Sequence, residues 1–268
     1  MIHRILQTTL ERLATKYPVI TLTGPRQSGK STLLRYAFPN YQYISLEDLD
    51  LREFATNDPR GFLATYPCRV ILDEVQRVPS LMSYIQTHVD MTNESGMYLL
   101  AGSHNFLLME SVNQSLASRT AILKLLPFSR REMQNGGVLP ASINEQIYFG
   151  AYPCLYDKGL QPDWNNFAKR LVKSPKLYFF DTGLACSLLE IKSPEQLDTH
   201  YSRGALFENM VINGFIKKAC NEGHETALRF WRDSQGNEVD LLLYDSGAPP
   251  WHTKSSRERH SIPSFSKV

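Results

Sequence analysis

The sequence predicts an α/β fold, a parallel sheet covered by helices and followed by a smaller α/β unit. Three observations carry this expectation. Across the first half, short apolar runs alternate with helical segments, the arrangement of parallel strands joined by helical crossovers. The stretch VITLTGPRQSGKST, Val19–Thr32, passes from a β-branched strand through a glycine-bearing loop into a helix. RVILD, Arg69–Asp73, stays apolar up to an acidic end, as a strand buried on both faces does.

In chain order, Ile2, Ile5, Leu6, Leu10 and Leu13 recur at helical spacing and form the buried stripe of an amphipathic helix. A strand follows at Pro18–Thr23, then the loop, then a helix closed by Pro39. YQYISLED reads as a second strand, and Asp58-Pro59 as the cap and first turn of a short helix. CRVILDEV, GMYLLAGS and TAILKLLPF are the third, fourth and fifth strands. The pattern breaks down around Gln134–Pro140, and Tyr148–Lys176 has no long periodic run, so this region reads as a linker. A second unit begins at Leu177, with a helix over Gly204–Lys218. A hairpin follows, with its turn at Ser234–Asn237 and its second strand at Glu238–Tyr244. The polar, proline-bearing tail is expected to be poorly ordered. This gives units of 1–133, 134–176 and 177–268.

Composition narrows the function. The 268 residues are 42% hydrophobic and 21% charged, with a formal net charge of +2. Such a balance leaves no global electrostatic footprint for nucleic acid, so any DNA contact needs a local patch. No apolar run approaches the roughly 18–20 residues that span a bilayer. Charges interrupt every apolar stretch of the N-terminus, so a signal peptide is not expected there. Cys68, Cys154, Cys186 and Cys220 lie far apart and form no C-x-x-C pair. The expectation is reduced thiols, no cysteine metal site, a cytoplasmic location and no membrane partner.

The loop carries the chemistry. Gly24, four residues, then Gly29-Lys30-Ser31 is the spacing of a phosphate-binding loop, whose backbone N–H groups wrap the phosphates at a helix start. The predicted binding residues are Gly24, Pro25, Arg26, Gln27, Ser28, Gly29, Lys30, Ser31 and Thr32. Lys30 is placed to reach the β- and γ-phosphates, and the Ser31 hydroxyl to bind Mg²⁺. Asp73, at the end of the third strand, is the second metal ligand, and Glu74 orients the attacking water. At the end of the fourth strand, Ser103 or Asn105 sits beside the γ-phosphate if that strand lies between the first and third. Arg119 is either a finger for a neighbour's γ-phosphate or a surface ion pair.

These residues belong to a longer series of blocks. LTGPRQSGKST, DPRGFLA, VILDEVQRVP, AGSHNFLLMESVNQSLASRTAILKLLPFS, YFGAYP, KRLVKSPKLYFFDTGLACSLL, RGALFENMVINGF and FWRDSQGNEVDLLL occur in order over nearly the whole chain. The series resembles a prokaryotic family of AAA+ superfamily ATP-binding proteins with a C-terminal domain of unknown function. The resemblance implies a P-loop AAA+ three-layer core, a winged-helix segment, and a restriction-endonuclease-like α/β domain.

Two departures follow from it. Relatives carry a long helical and winged-helix region where Trp164 here runs directly into Asn165, so 134–176 is read as its remnant. DNA contact would then rest on Lys169, Arg170, Lys173 and Lys176. The resemblance also implies a nuclease-like site at Glu208, Asp240 and Lys254, but His252 stands where relatives have a glutamate, and nuclease activity is not expected. The sequence therefore predicts an ATP-binding protein that hydrolyses ATP with Mg²⁺, with a homo-oligomer and DNA as candidate partners. The alternatives are a nucleotide-binding remnant without coupled activity, and an ATP-regulated DNA-binding or nuclease-like protein.

Overall fold

A computed structural model describes residues 2–92, 94–103, 116, 118–157, 178–224, 228–232, 238–243 and 251–253, with backbone alone for Ser103 and from 228 onward. The chain divides into two compact units, Met1–Glu225 and Thr226–Val268.

In the first unit the elements run α1 (Leu6–Ala14), β1 (Val19–Gly24), α2 (Lys30–Ala37), β2 (Gln42–Ser45), α3 (Leu49–Asn57), α4 (Pro59–Thr65) and β3 (Val70–Asp73). They continue with α5 (Leu81–Thr92), β4 (Tyr98–Ser103), β5 (Thr120–Lys124), α6 (Arg130–Asn135), α7 (Ile143–Phe149), α8 (Pro153–Asp157), α9 (Thr182–Leu188) and α10 (Arg203–Glu222). The five strands form one sheet in the order β2-β3-β4-β1-β5, and every pairing is parallel.

The inner strands β1, β3 and β4 read as apolar runs because both faces are covered, whereas the edge strands β2 and β5 are partly exposed. Side chains alternate between the faces. Ile20 and Leu22 of β1, Ile71 of β3 and Leu99 and Ala101 of β4 pack with Leu6 and Leu10 of α1 and Leu33 and Leu34 of α2. Val19, Val70, Leu72, Tyr98 and Leu100 face the opposite way, onto Phe62 of α4 and Leu81, Ile85 and Val89 of α5. The result is a helix–sheet–helix sandwich, with β4 at its centre between β3 and β1.

Local signals set several boundaries. Asp58 accepts a bond from Gly61 N at 2.9 Å, and Pro59 follows at the first helical position of α4. The second strand ends three residues before Asp48, because Asp48 caps α3 by accepting from Asp50 N and Leu51 N at 3.0 and 3.1 Å. Around the start of the segment read as linker, 134–176, α6 and α7 each begin with a capping box, Ser129 with Glu132 and Ser142 with Glu145.

The second unit holds a three-stranded antiparallel sheet, β6 (Leu228–Arg232), β7 (Glu238–Leu243) and β8 (Trp251–Thr253), in that order. β6 and β7 are the expected hairpin strands. β8 lies in the segment read as a poorly ordered tail and pairs Leu241–Leu243 with Thr253–Trp251.

Leu99 is fully buried on the central strand. Leu99→Ala is expected to cost about 2–5 kcal/mol, whereas Leu49→Ala, at a position 66% exposed, should change stability by less than about 0.5 kcal/mol. Urea unfolding of both variants checks the assigned core.

Candidate phosphate-binding site

The loop from Pro25 to Gly29 leaves the C-terminal end of β1 and enters α2. Its shape is dictated by backbone sterics. A Cβ at Gly24 would lie 2.0 Å from the Leu125 carbonyl oxygen, so the neighbouring strand end alone demands glycine there. Gly29, directly before α2, has φ +89°, a left-handed conformation that glycine adopts without penalty. Gln27 is also left-handed, at φ +62°.

Lys30 opens the helix and folds back over the loop. It is 6% exposed, and its Nζ donates to Gly24 O at 3.1 Å and Pro25 O at 2.9 Å. Burial lowers its pKa, and Glu74 and Asp73 oppose that effect. Ser31 Oγ donates to Asp73 Oδ2 at 2.5 Å, which brings the two predicted metal ligands together. Tyr43 OH donates to the same oxygen at 2.7 Å, and Glu74 N to Asp73 Oδ1 at 2.9 Å. Burial, reinforced by the Asp73 bond, pushes the Tyr43 phenol up to about 12. Ser28 Oγ is buried and has no hydrogen-bond partner among the described residues. Pro25 and Gly29 are half-buried, while Arg26, Gln27 and Thr32 are exposed at the rim. Arg26 lies 3.7 Å from Glu47.

Glu74 follows Asp73 with φ +54°, and its carboxylate accepts a bond from Gln76 Nε2. Ser103 ends β4 in register with Gly24, so its backbone runs beside the start of the loop. Asn105 lies outside the described residues. Arg119 is at the opposite end of the sheet: its carbonyl accepts from Val19 N at 3.2 Å, and its guanidinium pairs with Asp90 of α5. It is not brought to its own chain's loop.

The nuclease-like set is divided between the two units and a residue outside the described ones. Glu208 accepts from Tyr178 OH at 2.8 Å on α10, Asp240 belongs to β7 of the other unit, and Lys254 lies outside the described residues. Lys169, Arg170, Lys173 and Lys176 lie outside them too. Among the described residues no group of three or more His, Cys, Asp or Glu could hold a metal ion, and no helix is long and apolar enough to cross a membrane.

The structure adds a residue that the sequence reading passed over. Arg4 is 3% exposed, ahead of α1. Its guanidinium donates to Ser28 O of the loop at 2.8 Å, to Leu126 O at 2.5 Å and to Glu132 Oε1 at 3.0 Å, and it sits 4.9 Å from the Phe128 ring centre. Glu132 is fully buried and also accepts from Ile5 N at 2.9 Å and Ser129 N at 2.7 Å. The signal in the sequence was a cation inside an apolar stripe, between Ile2 and Ile5.

Residues 16–134 match the model of an AAA domain, and residues 203–261 and 158–195 match two domains of unknown function, DUF4143 and DUF8612. Uncharacterised proteins of Mycobacterium bovis and Mycobacterium tuberculosis are each 25% identical over 317 residues, covering 90% of this chain and 70% of theirs. That aligned length exceeds the 268 residues present, so these relatives carry residues that this chain lacks. Among solved structures, a Walker-type ATPase of Pyrococcus abyssi is 16% identical, with 55% of this chain and 63% of that one covered and a TM-score of 0.37. AMPPCP-bound DnaA from Aquifex aeolicus is 16% identical, with 57% of each chain covered and a TM-score of 0.41. The chain thus spans less than two thirds of either structure.

The lowered pKa of Lys30 has a consequence for stability. The fold carries a desolvated ammonium, so the protein should gain stability as pH rises from the lowered folded value towards the ordinary one near ~10.4. Lys30→Met keeps the apolar stem and removes the charge. Without nucleotide it is expected to unfold at a higher urea concentration than the wild type, by about 1 kcal/mol; a lower midpoint would contradict this account of the site.

Proposed function

We propose that this chain, built on an AAA domain of the P-loop ATPase type, binds ATP at the loop Gly24–Thr32 and hydrolyses it with Mg²⁺. The observation that carries the reading is the Lys30–Ser31–Asp73 arrangement. A buried ammonium lies over a glycine-shaped loop, and the next residue places a hydroxyl 2.5 Å from the carboxylate that ends β3, two strands over from β1.

The residues present fit both ligands. The two carbonyls that Lys30 now contacts belong to the loop itself, so its ammonium can exchange them for phosphate oxygens without leaving the site. Ser31 Oγ and Asp73 Oδ2 are two oxygen ligands of the kind a small hard cation takes, with phosphate oxygens and water completing its shell. Mg²⁺ supplies neutralisation of charge on the β- and γ-phosphates. The Tyr43 hydroxyl holds Asp73 in orientation from the other side. In this reading Glu74 aligns the attacking water, and Ser103 or Asn105 senses the γ-phosphate. Arg119, at the far end of the sheet, acts in this reading only on a neighbour's nucleotide, which requires a homo-oligomer.

One observation favours a second reading, binding without turnover. The Glu74 carboxylate is hydrogen-bonded by Gln76 and its backbone is left-handed, so water activation requires it to leave that bond. ATP binding and phosphate release by wild type, Lys30→Ala, Glu74→Gln and Gln76→Ala separate the readings. Lys30→Ala is expected to lose binding. Glu74→Gln should retain it and release phosphate at least about 100-fold more slowly, while Gln76→Ala should be as fast as wild type or faster. A wild type that binds ATP but turns over no faster than Glu74→Gln establishes the second reading. Absence of binding removes both.

A further inference from the structure

Apart from the phosphate loop, the first unit contains an open-mouthed pocket of about 200 Å³ lined by residues of α6, α7, α9 and α10 and of the segments that join them. Its lining is mostly apolar, with Phe128, Met133 and Met210 among its walls, and exposed Phe180 and Gly214 stand at its mouth. Buried polar side chains also line it: Asp181, Lys217 and Asn213, which are 2%, 8% and 3% exposed.

Their hydrogen bonds differ in a way that points to a ligand. Asp181 is engaged as the cap of α9, accepting from Leu184 N at 3.2 Å and from Ala151 N at 2.5 Å. Lys217 donates to Phe128 O at 3.0 Å and is attracted by Asp181. Asn213 donates its Nδ2 to Phe179 O, which fixes the orientation of the amide. Its Oδ1 is left buried without a partner among the described residues. Buried acceptors of this kind are rare, because each costs the desolvation of a group that water would have satisfied.

Asn213 and Lys217 are one helical turn apart on α10, so an orphan acceptor and an ammonium donor occupy the same face of one helix. The buried charges already balance, Lys217 against Asp181, and a neutral occupant introduces no further buried charge. The apolar walls require a hydrophobic body. The size is adequate, since a cavity of about 150 Å³ accommodates benzene.

We propose that this pocket is a binding site for a small uncharged molecule with an apolar body and a carboxamide- or lactam-like edge, donating to Asn213 Oδ1 and accepting from Lys217 Nζ. The site is independent of the ATP reading. The probe is benzamide, with toluene as the analogue that lacks the polar edge, and the readout is the methyl NMR signals of Met133 and Met210. Benzamide is expected to shift both signals saturably, with toluene at least about tenfold weaker. Gly214→Leu should abolish the response, because a Cβ there meets nothing within 4 Å and the larger side chain can obstruct the mouth without a backbone clash. A melting curve of this variant like that of wild type shows that the fold persists. No shift with benzamide, equal response to toluene, or an undiminished response in folded Gly214→Leu would each overturn the proposal.

Discussion

The arrangement of the first unit depends on one buried cation. The Arg4 guanidinium joins three places distant in sequence: the phosphate loop through Ser28 O, the end of the fifth strand through Leu126 O, and helix α6 through Glu132. A peptide bond is planar and trans, so a carbonyl and the next N–H point in opposite directions. By holding Ser28 O, Arg4 therefore turns the Gly29 N–H away from itself, as a loop that collects N–H donors for an anion requires. Lysine could carry the charge but not the planar fork that makes three such bonds at once.

Such an arrangement tolerates little change. A buried ion is expensive to desolvate, and Arg4 and Glu132 are stabilising together only because their hydrogen bonds are well satisfied. Lys217 extends the charged interior, with Phe128 O, Asp181 and Glu132 all acting on it. Helices α6 and α10 are thereby connected electrostatically to the residues that shape the loop. The helical segment after the fifth strand belongs, in energetic terms, with the sheet.

Much of this was legible in the sequence, for identifiable reasons. Strands buried on both faces leave continuous apolar runs, so β1, β3 and β4 are recognisable, while the half-buried edge strand β5 still shows its apolar Ala121–Leu123. The phosphate loop was recognisable because Gly24 and Gly29 are needed by the backbone itself, one by the approach of Leu125 O and the other by a positive φ. Helices α6 and α7 were passed over because they are short and have no long apolar period, although Ser129-x-x-Glu132 and Ser142-x-x-Glu145 mark their starts. Helix α3 was hidden by a strand reading that continued to Asp48. Arg4 could not be placed by pattern, since its partners come from 24, 122 and 128 residues away. The carboxylate of Glu74 was identifiable, but its engagement with Gln76 depends on the turn that follows the strand.

The most direct test of this account is ATP affinity in Arg4→Lys, measured by calorimetry with Mg²⁺ at a temperature where circular dichroism shows the variant folded. If the guanidinium sets the loop, the variant binds ATP at least about tenfold more weakly than wild type, a loss of about 1.4 kcal/mol. Equal affinity in a folded Arg4→Lys protein would show that the loop holds its shape without Arg4, and would contradict the central claim.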